Sequence, residues 1–385
     1  MELILIQSQE HDTLPLAELK AVLEVENIDS KIEIITEGLV VVKSLNNNDF
    51  YKNYKTLVNR LAYTHEIHEL VLRTNLSKLE NEFKTVNWDN YIFSDFVVRI
   101  KRFDKVEIDT PALERRLGHL VLTYNIDEDN NGKYNIDEDN IDKDNIDENN
   151  KNSVITNDFK VNLKNPNSFI RVVASKDEIF VAYEKFKLNK KHFQDIKPHK
   201  RPFFYPGSMS PKLARCMVNL SRTKKGELLL DPFCGTGGIL LEGGMIGAKL
   251  IGCDINWNMK NGTLINLKHC SNFDYCEIEE SDYEVYNIDV RELKLYKKVD
   301  AVVTDPPYGI STSTGGTKKG EIFHQFLESI DYNMKENAYL CIAHPHYLDF
   351  DSILDNLDFE LLERHRIKMH KSLTRIISVI KKINK

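Results

Sequence analysis

The chain has 385 residues, of which 41% are hydrophobic and 29% charged, as in an ordinary globular protein of two or three domains. No apolar stretch approaches the roughly 20 residues that a membrane-spanning helix needs, which argues against an integral membrane protein. The formal net charge of −7 does not exclude a nucleic-acid partner, because residues 125–150 alone carry −8 and leave the rest of the chain at +1.

The N-terminal residues have neither the basic start nor the apolar run of a secretory signal peptide. All six cysteines lie at or beyond Cys216, at irregular spacings and without a CxxC pair. This usage predicts reduced core thiols, not a disulfide framework or a zinc site. We therefore expect a cytoplasmic protein with no metal.

The first 73 residues are predicted to form a ferredoxin-like domain, because the order strand–helix–strand–strand–helix–strand is typical of that fold. The predicted elements are a strand at 2–8, a helix at 15–27, two strands within 31–43, a helix near 54–62 and a strand near 65–73.

A second α+β domain is predicted over residues 74–186. It contains a strand at 96–103, a helix capped by Thr110 with Pro111 at its first position, and further strands at 159–163 and 168–184. Residues 125–150 interrupt it with an acidic, Asn-rich repeat that has too few apolar side chains to form a core. Part of this repeat fits a calcium-loop pattern, which we interpret as a chance match in a repetitive acidic sequence.

Residues 187–206 are polar, basic and rich in proline, and we predict a linker there. Beyond it, strands alternate with helices to the end of the chain, which predicts a largely parallel sheet covered by helices on both faces. The predicted strands are 227–231, 249–254, 283–288, 299–304, 338–343, 358–367 and 374–382, and the predicted helices are 211–222, 237–246, 257–268, 321–334 and 350–356.

The first of these strands ends at Asp231 and leads into a glycine-rich turn, Cys234-Gly-Thr-Gly237, where backbone N–H groups approach a ligand closely. The second strand ends at Asp254, and a carboxylate there is placed to accept both ribose hydroxyls of a nucleoside. Asp289, after the third strand, is placed to accept an adenine amine. Each acid alone also suits a helix cap, but their order on consecutive strand ends favours a cofactor site.

The fourth strand closes with Asp305-Pro306-Pro307-Tyr308. The prolines fix the backbone and remove two N–H donors, so that the Asp305 carboxylate and the Pro306 carbonyl are both free to accept from an –NH2 group. Tyr308 is then positioned to stack on the base that carries this amine. Such an arrangement directs the nitrogen lone pair toward a methyl donor.

The glycine turn, the two acids and Asp-Pro-Pro-Tyr, in this order, resemble the class I amino-directed methyltransferases. The resemblance implies S-adenosylmethionine as methyl donor and a Rossmann-like, seven-stranded α/β sheet whose last strand is antiparallel. It implies a catalytic role for Asp305, Pro306 and Tyr308. The implied cofactor contacts are Asp231, Cys234, Gly235, Gly237, Asp254, Ile255, Asp289 and Val290.

Three segments resemble the archaeal tRNA guanosine-10 N2-methyltransferases: the entry segment at 201–215, the glycine turn through Glu242, and the C-terminal text at 365–375. In that family the entry segment borders the cofactor, which adds Ser208 as a contact. Residues 161–166 and the hairpin that follows resemble a THUMP domain, an RNA-binding module of tRNA-modifying enzymes. The predicted RNA contacts are Arg99, Lys101, Arg102, Arg115 and Arg116 in that module, and Lys197, Lys200, Arg201, Lys212 and Arg215 near the entry segment.

Together these observations predict a tRNA N2-guanine methyltransferase acting at position 10, with the segment Ser311–Gly320 as a loop that closes on the flipped-out base. Three alternatives stay open: a THUMP-bearing enzyme for another guanosine of tRNA or rRNA, a DNA N6-adenine methyltransferase, and a tRNA-binding protein with an inactive domain. We expect tRNA and not DNA or a membrane as the partner. Eukaryotic relatives use a small activator protein, and the sequence leaves the need for one open.

Overall fold

Short apolar runs form the strands of this chain, because buried strands need little more than β-branched and aliphatic side chains in succession. The computed structural model describes residues 2–45, 50–124, 159–185, 188, 190–308, 319–355 and 357–383. The predicted acidic insert at 125–150 and residues 311–318 of the predicted loop lie outside these ranges.

The N-terminal half contains β1 (Glu2–Gln7), α1 (Leu14–Val25), β2 (Ser30–Thr36), β3 (Leu39–Ser44), α2 (Phe50–Arg60), β4 (Thr64–Thr74), α3 (Leu79–Lys84), β5 (Asp95–Arg102), α4 (Thr110–Leu122), β6 (Lys160–Val161), β7 (Ser168–Ala174) and β8 (Ile179–Tyr183). The predicted order of the first six elements is confirmed.

The C-terminal half contains α5 (Lys191–Asp195), α6 (Pro211–Leu220), β9 (Leu228–Asp231), α7 (Gly238–Met245), β10 (Lys249–Asp254), α8 (Trp257–Cys270), β11 (Tyr283–Asn287), β12 (Val299–Thr304), α9 (Lys319–Asn333), β13 (Met334–Pro345), α10 (Phe350–Leu354), β14 (Phe359–His370) and β15 (Leu373–Lys382). Among the described residues, each helix is too short or too polar to cross a bilayer.

The described part of the C-terminal half forms a seven-stranded sheet in the order β11-β10-β9-β12-β13-β15-β14. The strands β11, β10, β9, β12 and β13 run parallel to one another, whereas β15 is antiparallel to both β13 and β14. The predicted sheet with an antiparallel last strand is therefore confirmed. Buried hydrophobic clusters lie on both faces of this sheet. The parallel pairing of β9 with β10 and β12 brings the carboxyl ends of these three strands to one edge.

The chain divides into two compact units. The first unit comprises Leu5–Ile67 and Phe186–Lys385, and the second comprises Glu2–Ile4 and His68–Lys185, so that β1 and β4 each contribute residues to both. The N-terminal segment, which we predicted as a separate ferredoxin-like domain, is thus grouped with the C-terminal half.

Buried polar contacts explain this grouping within the first unit. The fully buried Glu18 carboxylate on α1 accepts hydrogen bonds from the Ala62 and Tyr63 amides and from the Asn219 side chain on α6. Arg60, at the end of α2, donates to Asn219 and to the Thr223 carbonyl. Buried charges persist only where such partners are present.

In the second unit the strand order is β4-β8-β7-β5-β6, with a β7–β8 hairpin and a parallel β5–β7 pair. Trp88, Phe83 and Phe96 lie in its core beside the apolar face of α4. The Asp109 side chain caps α4 by accepting from the Ala112 amide, one residue before the predicted cap at Thr110.

The described residues of the segment that we predicted as a linker, 188 and 190–206, contain α5 and contribute to the core of the first unit. Phe193 and Ile196 are buried there. Phe203 lies against Gly262 of α8, where an added Cβ would be 2.0 Å from the Phe203 ring. Composition alone suggested a linker because the polar residues outnumber these few apolar anchors.

This contact predicts a large stability difference between two helical glycines. Gly262→Ala should lower the free energy of unfolding by about 1–3 kcal/mol or more, since the added methyl group overlaps with the Phe203 ring. Gly118→Ala is the matched control on α4, where an added Cβ meets nothing within 4 Å, and it should be neutral or raise stability by about 0.5–1 kcal/mol. Calorimetric unfolding of both variants checks this, and an unchanged melting temperature for Gly262→Ala would contradict it.

Candidate active site

The glycine turn after β9 is held in place by backbone hydrogen bonds and by one carboxylate. The Cys234 amide donates to the Cys253 carbonyl at 2.8 Å, and the Gly237 amide donates to the Cys234 carbonyl at 2.7 Å. The Gly235 amide donates to Oδ2 of Asp254 at 3.0 Å. Gly237 has a φ of +79°, and an added Cβ there would lie 3.0 Å from Thr263, so this position requires glycine.

The entry segment lies against this turn. The Ser208 and Thr236 hydroxyls are 3.2 Å apart. Asn266 of α8 joins the two segments, because its side-chain amide donates to the carbonyls of both Phe203 and Thr236 at 2.9 Å. Sequence reasoning predicted Ser208 near the turn but missed Asn266, since an Asn within a helix gives no signal of its own.

Asp231 is buried at the end of β9. Its Oδ1 accepts from the Thr304 hydroxyl at 2.8 Å and from the Phe233 amide at 3.3 Å. Burial raises the pKa of Asp231 to about 8. The Thr304 contact ties the end of β9 to the end of β12, next to Asp305.

The two predicted nucleoside acceptors have different surroundings. Asp254 is half-buried, with Oδ1 accepting from the Asn256 amide and Oδ2 from the Gly235 amide, and burial raises its pKa. Both oxygens of Asp289 accept from Arg291, whose Nη2 lies 2.5 Å from Oδ2, and these bonds lower the pKa of Asp289. Beside them, Ile255 is exposed and Val290 is buried.

The Asp305–Tyr308 turn follows β12 directly. The Tyr308 hydroxyl donates to Oδ1 of Asp305 at 2.6 Å, and Nη2 of Arg375 lies 3.1 Å from Oδ2. Nε of Arg375 donates to the Tyr308 hydroxyl oxygen at 2.8 Å, so each of these three side chains contacts the other two. Pro306 between them is buried.

Burial and the two neighbouring side chains have opposite effects on the pKa of Asp305. Burial raises the pKa of Asp305, while the charge of Arg375 and the hydrogen bond from Tyr308 lower it. Burial also raises the pKa of Tyr308, so the hydroxyl keeps its proton and acts as a donor. The three contacts therefore place a carboxylate that is paired with a guanidinium at the carboxyl edge of the sheet.

The structure corrects two of the predicted RNA contacts. Arg201 and Arg215 are buried, with exposed fractions of 6% and 2%. Arg201 donates through Nε to the Ile196 carbonyl, and Arg215 pairs with the buried Glu242 at 2.8 Å. Both side chains lie inside the first unit and away from solvent, which argues against a phosphate contact for either.

The remaining predicted RNA contacts lie nearer the surface. In the second unit, Arg102, Arg115 and Arg116 are exposed, while Arg99 and Lys101 are half-buried. In the first unit Lys200 is exposed, and Lys197 and Lys212 are half-buried. Arg99 pairs with Glu114, Arg116 with Glu80 and Lys212 with Glu10.

Two protein-family models match the chain. One, described as "RMKL-like, methyltransferase domain", matches residues 198–376, and the other, described as "DNA methylase", matches residues 50–265. The first match contains both the glycine turn and the Asp305–Tyr308 turn, whereas the second ends before Asp305.

Two relatives match the chain over nearly its whole length, and both carry the name tRNA (guanine(10)-N2)-dimethyltransferase. The protein of Methanothermobacter thermautotrophicus is 40% identical over 383 residues and covers 100% of both chains. The protein of Methanocaldococcus jannaschii is 38% identical over 375 residues, covering 97% of this chain and 98% of its own.

Solved structures of other proteins share the fold. The structure of TrmN from Thermus thermophilus aligns with a TM-score of 0.55 at 16% identity and covers 100% of each chain. The methyltransferase SMU.472, crystallised with SAH, aligns with a TM-score of 0.52 at 12% identity and covers 98% of this chain and 97% of its own. The sheet is that of a class I methyltransferase.

The raised pKa of Asp231 predicts a pH-dependent stability. The native state keeps a proton that the unfolded chain loses near the ordinary value of 3.8, so the stability that Asp231 contributes is lost as pH rises from about 4 toward 8. Asp231→Asn has no proton to lose. Its free energy of unfolding, relative to the unchanged protein, should therefore rise across this window by up to about 1.4 kcal/mol per pH unit.

Urea unfolding at several pH values checks this expectation. Asp12→Asn, at an exposed carboxylate of the same unit, is the control and should follow the unchanged protein. A difference between Asp231→Asn and the unchanged protein that stays constant with pH would contradict the assignment.

Proposed function

Because the chain belongs to the family of tRNA (guanine(10)-N2)-dimethyltransferases, we propose that it methylates the exocyclic N2 amine of guanosine 10 in tRNA, with S-adenosylmethionine as methyl donor. The observation that carries the proposal is the Asp305–Tyr308 turn at the carboxyl end of β12, on the same sheet edge as the glycine turn. Ligands of open α/β sheets bind at this edge.

The residues around the glycine turn fit this cofactor. Gly235 has a φ of +51°, and the nearest atom to an added Cβ would be a backbone oxygen 4.0 Å away, so the space above the turn is open to a ligand. Asp254 at the end of β10 supplies a carboxylate for ribose hydroxyls, and the exposed Ile255 supplies an apolar surface for an adenine ring. Bound there, S-adenosylmethionine would supply an electrophilic methyl group on its sulfonium.

The other predicted cofactor residues border the glycine turn or follow β11. Asp231 and Cys234 are buried, so we assign them to shaping the turn, with Gly237 and Ser208 beside it. Asp289 and Val290 border the position expected for the adenine ring, and Asp289 would have to leave Arg291 to accept its amine.

The Asp305–Tyr308 turn suits an aromatic amine. The Asp305 carboxylate and the Pro306 carbonyl would accept the two N–H hydrogens, which turns the nitrogen lone pair toward the methyl carbon. As the nitrogen–carbon bond forms and the carbon–sulfur bond breaks, with its electron pair left on sulfur, the surplus proton of the nitrogen passes to Asp305. The ring of Tyr308 would stack on the base.

The name of the family implies two successive methyl transfers to the same nitrogen. From the geometry of the Asp305–Tyr308 turn we expect these two transfers to differ in rate. After the first transfer the nitrogen keeps one N–H, so Asp305 and Pro306 no longer both receive a hydrogen bond. The second transfer therefore loses part of the orientation that the first one uses.

We also propose that residues 74–186 are a THUMP domain that binds tRNA, beside a methyltransferase domain at 207–385. The surface positions of Arg102 and Lys200, and the half-buried positions of Arg99, Lys101 and Lys212, support phosphate contacts.

Six free cysteines, all buried, support a reducing, cytoplasmic location.

The direct test is label transfer from S-adenosylmethionine to an unmodified tRNA transcript, followed by mapping of the product. We expect N2-methylguanosine at position 10, which accumulates before N2,N2-dimethylguanosine. A transcript with inosine at position 10 lacks only the N2 amine and should take up no label there. Label at another guanosine, in N6-methyladenosine, or in DNA instead of RNA would overturn the proposal.

Asp305→Asn should lower kcat by about 100-fold or more, because the amide supplies neither the charge nor a base for the surplus proton. Affinity for tRNA, measured by filter binding, should change little. Glu360→Gln, at an exposed carboxylate on β14, is the control and should keep full activity. Loss of tRNA binding with Asp305→Asn would count against its role at the amine.

A further inference from the structure

Arg375 lies 70 residues beyond Asp305 in the chain but contacts it directly. It lies near the start of β15 and pairs in register with Pro345 at the end of β13. Since β15 runs antiparallel to β13, its first residues lie at the carboxyl edge of the parallel strands, where the Asp305–Tyr308 turn is. The Arg375 side chain is 10% exposed.

We propose that Arg375 is the positioning residue of the amine site: it holds one carboxylate oxygen of Asp305 and the hydroxyl oxygen of Tyr308, and leaves the other carboxylate oxygen to the substrate amine. The inference rests on the proposed function, since it assigns a role within that same site. It follows from the two contacts, at 3.1 Å and 2.8 Å, that one guanidinium makes.

The partners of the second carboxylate oxygen support this division. Oδ1 of Asp305 accepts from the Tyr308 hydroxyl, which is a donor of the same kind as an amine N–H. A substrate amine takes this place on Oδ1, while Nε of Arg375 keeps its hydrogen bond to the Tyr308 oxygen. The Tyr308 ring, whose centroid is 5.8 Å from the guanidinium carbon, then stays beside the base. A guanidinium suits this task because its fork of donors reaches two oxygens at fixed angles.

The charges that face Asp305 explain why a cation is needed. Arg375 comes from β15 and Tyr308 from the turn itself. Asp231, at the end of β9, lies near enough for the charge of Asp305 to raise the pKa of Asp231. Without Arg375, burial would act on Asp305 with only the Tyr308 hydroxyl to stabilise its charge, and its pKa would rise further.

The first test is the pH dependence of kcat for Arg375→Gln. Asp305 must be ionised to accept from the amine, so a higher pKa moves the acid limb of the profile to higher pH. We expect a shift of at least about one pH unit, which is about a tenfold loss of kcat on that limb. Part of the activity should return at higher pH, and KM for tRNA should change less than about twofold. Arg375→Lys keeps the charge but not the fork, and it should keep the acid limb while kcat falls.

The control is Arg364→Gln on the neighbouring strand β14, where the exposed Arg364 pairs with Asp351. It also breaks an arginine–aspartate pair but should leave the profile unchanged. A profile for Arg375→Gln that coincides with that of the unchanged protein, or an equal loss of kcat at every pH, would overturn the proposal.

A double-mutant cycle tests the same pairing without any activity. Arg375→Gln leaves the Asp305 carboxylate without its cation and should lower the melting temperature, whereas in the Asp305→Asn background it should cost much less. If Arg375→Gln alone does not fold, recovery of folding in the double variant supports the pairing. Equal losses in both backgrounds, or a double variant that also fails to fold, overturn it. Failure of the proposed function would appear separately, as an unchanged protein that does not methylate guanosine 10.

Discussion

A charge that is removed from water needs a partner, and this constraint organises both the Asp305–Tyr308 turn and the framework around it. Asp305 keeps its carboxylate at the sheet edge because Arg375 lies 3.1 Å away. Deeper in the same unit, Glu18 is fully buried and is satisfied by two backbone amides and by Asn219. The segment that contains Glu18 is thereby joined to the unit that carries the chemistry.

Three carboxyl groups at neighbouring strand ends have distinct environments, and these environments separate their roles. Asp231 is buried among neutral donors, and its raised pKa suits a structural link to Thr304. Asp254 is half-buried and holds the Gly235 amide while it stays accessible to a ligand. Asp305 alone of these three faces a guanidinium. The same residue type therefore provides a link between two strand ends, a support for the glycine turn and, in the proposed mechanism, the acceptor for the amine.

The alternation of strands and helices was sufficient to predict a largely parallel sheet, since strands such as β9, β12 and β15 are apolar runs. The count of seven strands and the antiparallel last strand came from the resemblance, because β11 and β14 are largely polar. The sequence was also sufficient to predict the glycine turn and Asp305–Tyr308, because these depend on local backbone chemistry. It did not reveal that Arg201 and Arg215 are buried, since Arg215 is held by Glu242, which is distant in the chain. It also described residues 187–206 as a linker, because Phe193 and Ile196 are too few to reveal a packed segment.

Arg375 shows how topology supplies what local sequence does not. In a sheet of parallel strands the ligand edge receives only the carboxyl ends of those strands, and those ends lead into turns whose side chains tend to be exposed. An antiparallel strand between β13 and β14 reaches the same edge with its amino end, within the sheet and largely buried. A cation placed there is fixed by two neighbouring strands and shielded from water, so that it acts on Asp305 with little loss to solvent screening. The antiparallel last strand, inferred from resemblance alone, therefore also predicts where the compensating charge for a carboxylate at this edge belongs: among the first residues of that strand.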